Sequence, residues 1–318
     1  MKPVSLLALA AALLAATALP LHAQEWPNKS IRVVFPYQPG GGGDIITRLV
    51  MDRVGRKLGQ QFVIDNRSGA GGIIGADIVA KSKPDGYTFV VSGMGSHVVA
   101  PVLNQAPFDP MKDFTHVALF GGPPLVLAVH PDFQARTLQQ YLELTRTLPD
   151  GIVFGSPGPG THGHLLGEMV KSLSGGKMLH APYKGGGPAA GDLVAGHIPS
   201  AIVTLGSSAS FVRGGKLRLL AIASPRRVPD FPTVPTFVEA GYKDIVATTW
   251  FSLSGPAGLP RPIAAKLNAE VRAAVAIPEV RERLMADGIE PGDMDVDAFT
   301  EFFRAEIARW APLARAVK

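Results

Sequence analysis

Two glycine-rich turns carry the residues best placed to do chemistry in this 318-residue chain. The first, Pro36-Tyr37-Gln38-Pro39-Gly40-Gly41-Gly42-Gly43-Asp44, follows an apolar run and opens a helical pattern at Ile46, Leu49, Val50, Val54 and Leu58. Four glycines leave backbone N–H groups unshielded, and a helix start adds free donors and a positive dipole end. The combination predicts an anion site. Asp44 has two readings there: a cap accepting early helical N–H groups, or a cleft carboxylate accepting from a ligand. The second turn, Gly155-Ser156-Pro157-Gly158-Pro159-Gly160-Thr161-His162-Gly163-His164, sits between Ile152-Val153-Phe154 and the helical pattern of Leu165, Leu166, Met169 and Val170. Thr161 is its N-cap candidate, and Ser156 can offer a hydroxyl. One such turn is ordinary α/β geometry. Two in opposite halves could clasp one small anion from both sides. His180–Asp192 has the same character; its Lys184 could meet an acid group, although an exposed lysine is ordinarily solvated.

Strands must position these turns. Val/Ile-rich runs are expected at Ile31–Tyr37, Phe62–Asn66, Thr88–Ser92, His116–Phe120 and Leu125–His130, then at Ile152–Gly155, Leu179–Tyr183, Ser200–Thr204 and Leu217–Ala223. Helical patterns separate most of them, which predicts βαβ units over parallel sheet. Gly121-Gly122-Pro123-Pro124 interrupts two apolar strands, and a long strand at Ile245–Gly255 ends in Pro256-Ala257-Gly258-Leu259-Pro260. Each is a place for the chain to pass between two lobes. The expected division is 24–122 plus 250–318 for one lobe and 123–249 for the other; the alternative is one continuous doubly wound sheet. Helices are expected at Arg261–Ala276, Glu279–Asp287 and Val296–Arg315.

Composition bounds the function. The chain is 46% hydrophobic and 18% charged, enough apolar content for a real core. It has no cysteine, which excludes disulfides, thiolate metal sites and a cysteine nucleophile. The formal charge of +5 falls by one if Lys2 is removed with a leader. Basic residues are scattered rather than gathered into a face, so a nucleic-acid partner is not expected. Lys2, the apolar stretch Val4–Leu19, and Leu21-His22-Ala23 read as a secretory signal peptide over residues 1–23, cleaved after Ala23. The apolar run falls short of a transmembrane span. The mature chain is therefore expected in the periplasm.

Enzyme chemistry finds little support. The glycine turns lack the Gly-Lys-Ser/Thr ending of a phosphate-binding loop, and Ser156 has glycine at the wrong spacing for a nucleophile elbow. His162-x-His164 lacks a clear third metal ligand.

The ordered segments Pro36–Asp44, Asn66–Gly72, Lys83–Thr88, Ser156–Leu165, Pro182–Asp192 and Trp250–Pro260 resemble the Bug-type extracytoplasmic solute receptors of tripartite tricarboxylate transporters. The resemblance spans most of the mature chain. It implies an α/β, two-lobed, Venus-flytrap periplasmic-binding fold of the type II kind with a cleft between lobes. It implies a monomer that needs no cofactor or metal, binds a small organic acid or amino acid, and delivers it to membrane permease subunits; a ligand-sensing co-receptor for a signalling protein is the alternative. Backbone amides of the two turns would hold one carboxylate, which carries the binding role onto Gly40, Gly41, Ser156, Gly158, Gly160 and Thr161. Asp44 and His164 match family positions too. Gly43 departs from the family's frequent Thr or Asn, which puts one ligand hydrogen bond in doubt. Tyr37, Ser92, Ser96, Thr204 and Ser207, at or just beyond strand C-termini, are then candidates to select the rest of the ligand.

Overall fold

The computed structural model describes residues 26–316, so the expected leader lies outside the described residues. Two separate sheets organise the chain. The first contains β1 (Ile31–Phe35), β2 (Phe62–Asn66), β3 (Thr88–Gly93), β4 (Phe114–Gly122), β10 (Phe251–Pro256) and the short β11 (Glu290–Pro291). Their order is β11-β4-β10-β3-β1-β2. The second contains β5 (Leu125–Val129), β6 (Ile152–Ser156), β7 (Met178–Pro182), β8 (Ser200–Thr204) and β9 (Arg218–Ile222), in the order β7-β6-β8-β5-β9.

Both sheets are mixed, where the alternation of strands and helices predicted parallel pairing. Each has a parallel trio, β2-β1-β3 in one and β7-β6-β8 in the other. In each, an antiparallel strand lies beside the trio: β10 against β3, and β5 against β8. The reason lies in the crossings. β5 and β10 are the strands on which the chain enters a sheet after leaving the other, without a crossover helix to reverse its direction. The expected strand Ile245–Gly255 is shorter for the same reason. Its first half spans the gap, with Leu125 N–H donating to Ala247 C=O and Thr249 N–H to Pro123 C=O.

The trios are capped by helices that their own sequences start. α1 (Gly42–Leu58) follows β1 and buries Ile46, Val50, Met51 and Val54. α2 (Ile73–Ala80) and α3 (Ala100–Asn104) flank β3, with a π-helical turn at Met94–Val99 between β3 and α3. α4 (Leu138–Thr147) precedes β6, and α5 (His162–Ser174) follows it from a Thr161 N-cap whose hydroxyl accepts the His164 N–H. α6 (Gly186–Val194) and α7 (Leu205–Arg213) follow β7 and β8. α8 (Arg261–Ala276), α9 (Pro278–Ala286) and α10 (Val296–Ala316) complete the chain. One apolar cluster joins Met94, Val98 and Leu119 to Leu165, Leu166 and the α10 residues Phe299, Phe303 and Trp310, so the two sheets share buried surface.

Candidate functional site

β1 and β6 hold equivalent places at the centres of their parallel trios, and each ends in a glycine turn that starts a helix. Ligands of α/β sheets sit beyond strand C-termini. A hollow of about 50 Å³ lies there, lined from both sheets.

Four helix starts line it. Gly42 and Gly43 come from α1, Thr161–Gly163 from α5, Gly186 from α6, and Thr204 with Ser207 from α7. First-turn N–H groups have no intrahelical acceptor. In α1, Gly42 donates to Ser207 Oγ at 2.9 Å, while Asp44 and Ile45 donate to Gly41 C=O; Gly43 is left. In α5, His164 donates to Thr161 Oγ1 and Leu165 to Thr161 C=O, leaving His162 and Gly163. Phe35, Leu125 and Phe251 form apolar wall.

The titratable side chains of this lining are Tyr37 and His162. Both are held neutral. The Tyr37 hydroxyl is packed against Gly72 and Gly95 and donates to Gly71 C=O, and that burial raises its pKa. Burial pushes His162 down to about 3, with Arg309 adding to the effect. His162 Nδ1 pairs with Thr249 Oγ1 at 2.9 Å, its ring meets Trp310 edge-on, and Nε2 has no partner. The site is therefore uncharged in its side chains and positive in its backbone dipoles.

Of the sequence-predicted residues, Tyr37, Gly41, Thr161 and Thr204 line the hollow, as does Ser207. The others stand elsewhere. Asp44 is not the N-cap; Gly41 is. From the third helical position its buried carboxylate reaches back to the Gly40 N–H and accepts from Arg48 and from Asn66 Nδ2. Ser92 is locked between Ser252 and Ser254 in the first sheet. Ser96 pairs with His97 Nδ1. Ser156 is bound to His180 Nε2 at 2.7 Å, and His164 stacks on His180 while its Nδ1 accepts the Gly160 N–H. Gly158 and Gly160 serve contact with their surroundings. A Cβ on Gly158 would press on Tyr183 C=O at 2.8 Å, and one on Gly160 would press on Ala100 and Asn104. Gly40 is exposed, and Lys184 contributes only its carbonyl, to the Gln38 N–H at 2.8 Å.

The two predicted turns thus share the hollow. The first turn meets the third glycine stretch: a Cβ on Gly41 would lie 3.6 Å from the nitrogens of Gly186 and Gly187. The second meets the Asn66–Gly72 segment, where a Cβ on Gly71 would press on Pro159 C=O. Sequence reasoning missed Phe251, Thr249 and Gly186. Nothing local to Phe251 or Thr249 marks them, because they reach the site only through the crossing strand. Gly186 could have been found, since it repeats the glycine-then-helix signal of the first turn.

Comparison with known proteins agrees with this fold. The family model described as "Tripartite tricarboxylate transporter family receptor" matches residues 46–318. The periplasmic binding protein BugD superposes with a TM-score of 0.87 at 27% identity, covering 92% of this chain and 98% of its own. R. palustris Rpa4515 with adipate gives 0.88 at 33% identity, covering 92% and 98%. MatC from Rhodopseudomonas palustris with bound malate gives 0.86 at 31%, covering 91% and 100%. The architecture is the two-lobed fold of periplasmic binding proteins, with the hollow in the cleft between lobes. The chain belongs to the receptor family of the tripartite tricarboxylate transporters, and is a solute-binding receptor of the Bug, TctC-like type.

Proposed function

We propose that the chain is exported to the periplasm, closes its two lobes around a small carboxylate, and hands that acid to the permease subunits of a tripartite transporter. One observation carries this reading: helix starts from both sheets line a single hollow that has no charged side chain among the described residues. A carboxylate held by N–H dipoles escapes part of the desolvation cost of a buried ion pair. The adipate and malate named for Rpa4515 and MatC are both of the required chemistry. Residues 24–122 with 250–318 form one lobe and 123–249 the other, and the paired crossings near Pro123 and Ala247 form the hinge. Tyr37, Gly41, Thr161 and Thr204 touch the acid; Asp44, Ser156 and His164 hold the turns in shape.

Gly41→Val tests the reading. Gly41 has φ −78° and ψ 161°, extended backbone that valine adopts without strain. Its branches would enter the seam beside Gly186 and Gly187. The variant is expected to fold, yet to lose the thermal stabilisation that malate or adipate gives the natural protein. Unchanged affinity in this variant would remove the first turn from the site.

A further inference from the structure

We propose that the cleft discriminates between carboxylic acids by the absence of an ammonium group, accepting acids such as malate, glutarate or adipate and rejecting their amino counterparts. This rests on the receptor reading above and narrows its ligand class.

An amino acid is a zwitterion, and its ammonium needs a carboxylate or several free acceptors once water is gone. Among the described residues, no Asp or Glu lines the hollow. Of the two buried carboxylates of the described chain, Asp44 is committed and Asp287 stands outside the lining. Asp44 accepts from Gly40, Arg48 and Asn66. Asp287 comes near Gly206 but pairs with Arg213 and does not line the hollow.

The side-chain hydroxyls of the lining are engaged as well. Ser207 Oγ receives the Gly42 N–H and pairs with Thr204 Oγ1 at 2.8 Å. Thr161 Oγ1 donates to Gly158 C=O and receives the His164 N–H. His162 supplies one unpartnered neutral nitrogen. Four helix starts add positive potential, which draws a carboxylate and repels an ammonium at the same distance. Phe35, Leu125 and Phe251 give the carbon chain of an acid an apolar wall, and an ammonium on that chain would be desolvated against it.

The test is calorimetric titration of the full receptor, unfolded and refolded first to strip carried ligand. The probes are malate with aspartate, glutarate with glutamate, and adipate with 2-aminoadipate. In every pair that binds, the unaminated acid is expected to bind at least tenfold tighter. An amino acid that equals or exceeds its partner overturns this inference and leaves the receptor reading standing. Binding by none of the six probes overturns the carboxylate reading, and the discrimination with it.

Discussion

The amide of Gly42 donates to the hydroxyl of Ser207 at 2.9 Å, although 165 positions separate them in the chain. One belongs to the helix after β1, the other to the helix after β8, so the bond ties the two lobes beside the hollow. Thr204, the residue before α7, holds the same hydroxyl from its own side. Ser207→Ala removes the tie and leaves the Gly42 donor for the ligand alone. A neutral hydrogen bond is worth about 1 kcal/mol, so the closed form loses roughly fivefold in weight. The expected result is a similar fall in affinity for the best-bound acid by calorimetry, with little change in the denaturation midpoint.

Gly43 and Phe251 form a second pair. A Cβ on Gly43 would overlap the Phe251 ring, so the ring occupies the space that a side chain at this position needs. Gly43→Ala is therefore expected to cost about 1–3 kcal/mol by overpacking. In a Phe251→Leu background the same change is expected to cost clearly less. Equal cost in both backgrounds, measured by urea unfolding, would separate the two residues.

That pair also marks the boundary of what the sequence made legible. The strand and helix inventory could be read closely because burial imposes a period: Phe62–Asn66, Ser200–Thr204 and Arg261–Ala276 lie where their patterns put them. Glycine turns followed by helix starts were legible too, because glycine and capping residues mark a helix start locally. The direction of β5 and β10 was not, because antiparallel insertion depends on where the chain returns from and not on local pattern. Nor could periodicity show that Ser92 would be consumed by Ser252 and Ser254, or that Ser156 would turn to His180. A hydroxyl at a strand end looks the same in sequence whether it faces a ligand or a neighbour.

Buried histidines make the fold acid-sensitive. Burial lowers His116 to about 4 and His162 to about 3, from an ordinary value of 6.5. Below pH 6.5 the unfolded chain therefore binds protons that the folded chain refuses. Their contribution to stability is complete above pH 6.5 and is lost as pH falls towards their folded values. Each costs about 1.4 kcal/mol per pH unit in that window. His162→Gln is expected to flatten the dependence by one proton between pH 4 and 6. Urea midpoints at pH 6, 5 and 4 for both proteins check this; parallel curves would mean that His162 takes up its proton without unfolding.

Asp44 separates support from recognition. Its carboxylate binds the Gly40 N–H, Arg48 and Asn66, and Asn66 in turn donates to Tyr37 C=O. It thereby fixes both ends of the Tyr37–Gly43 turn against β2. Asp44→Ala takes this acceptor from the half-buried Asn66 amide and from the Gly40 N–H, at about 0.5–1.5 kcal/mol for each hydrogen bond lost. The turn then loosens, and every acid loses affinity together because the N–H groups that bind them all lose their aim. Equal fractional losses for malate and aspartate are the expected outcome, measured on one protein preparation. A loss confined to aspartate would instead place the Asp44 carboxylate against a ligand ammonium.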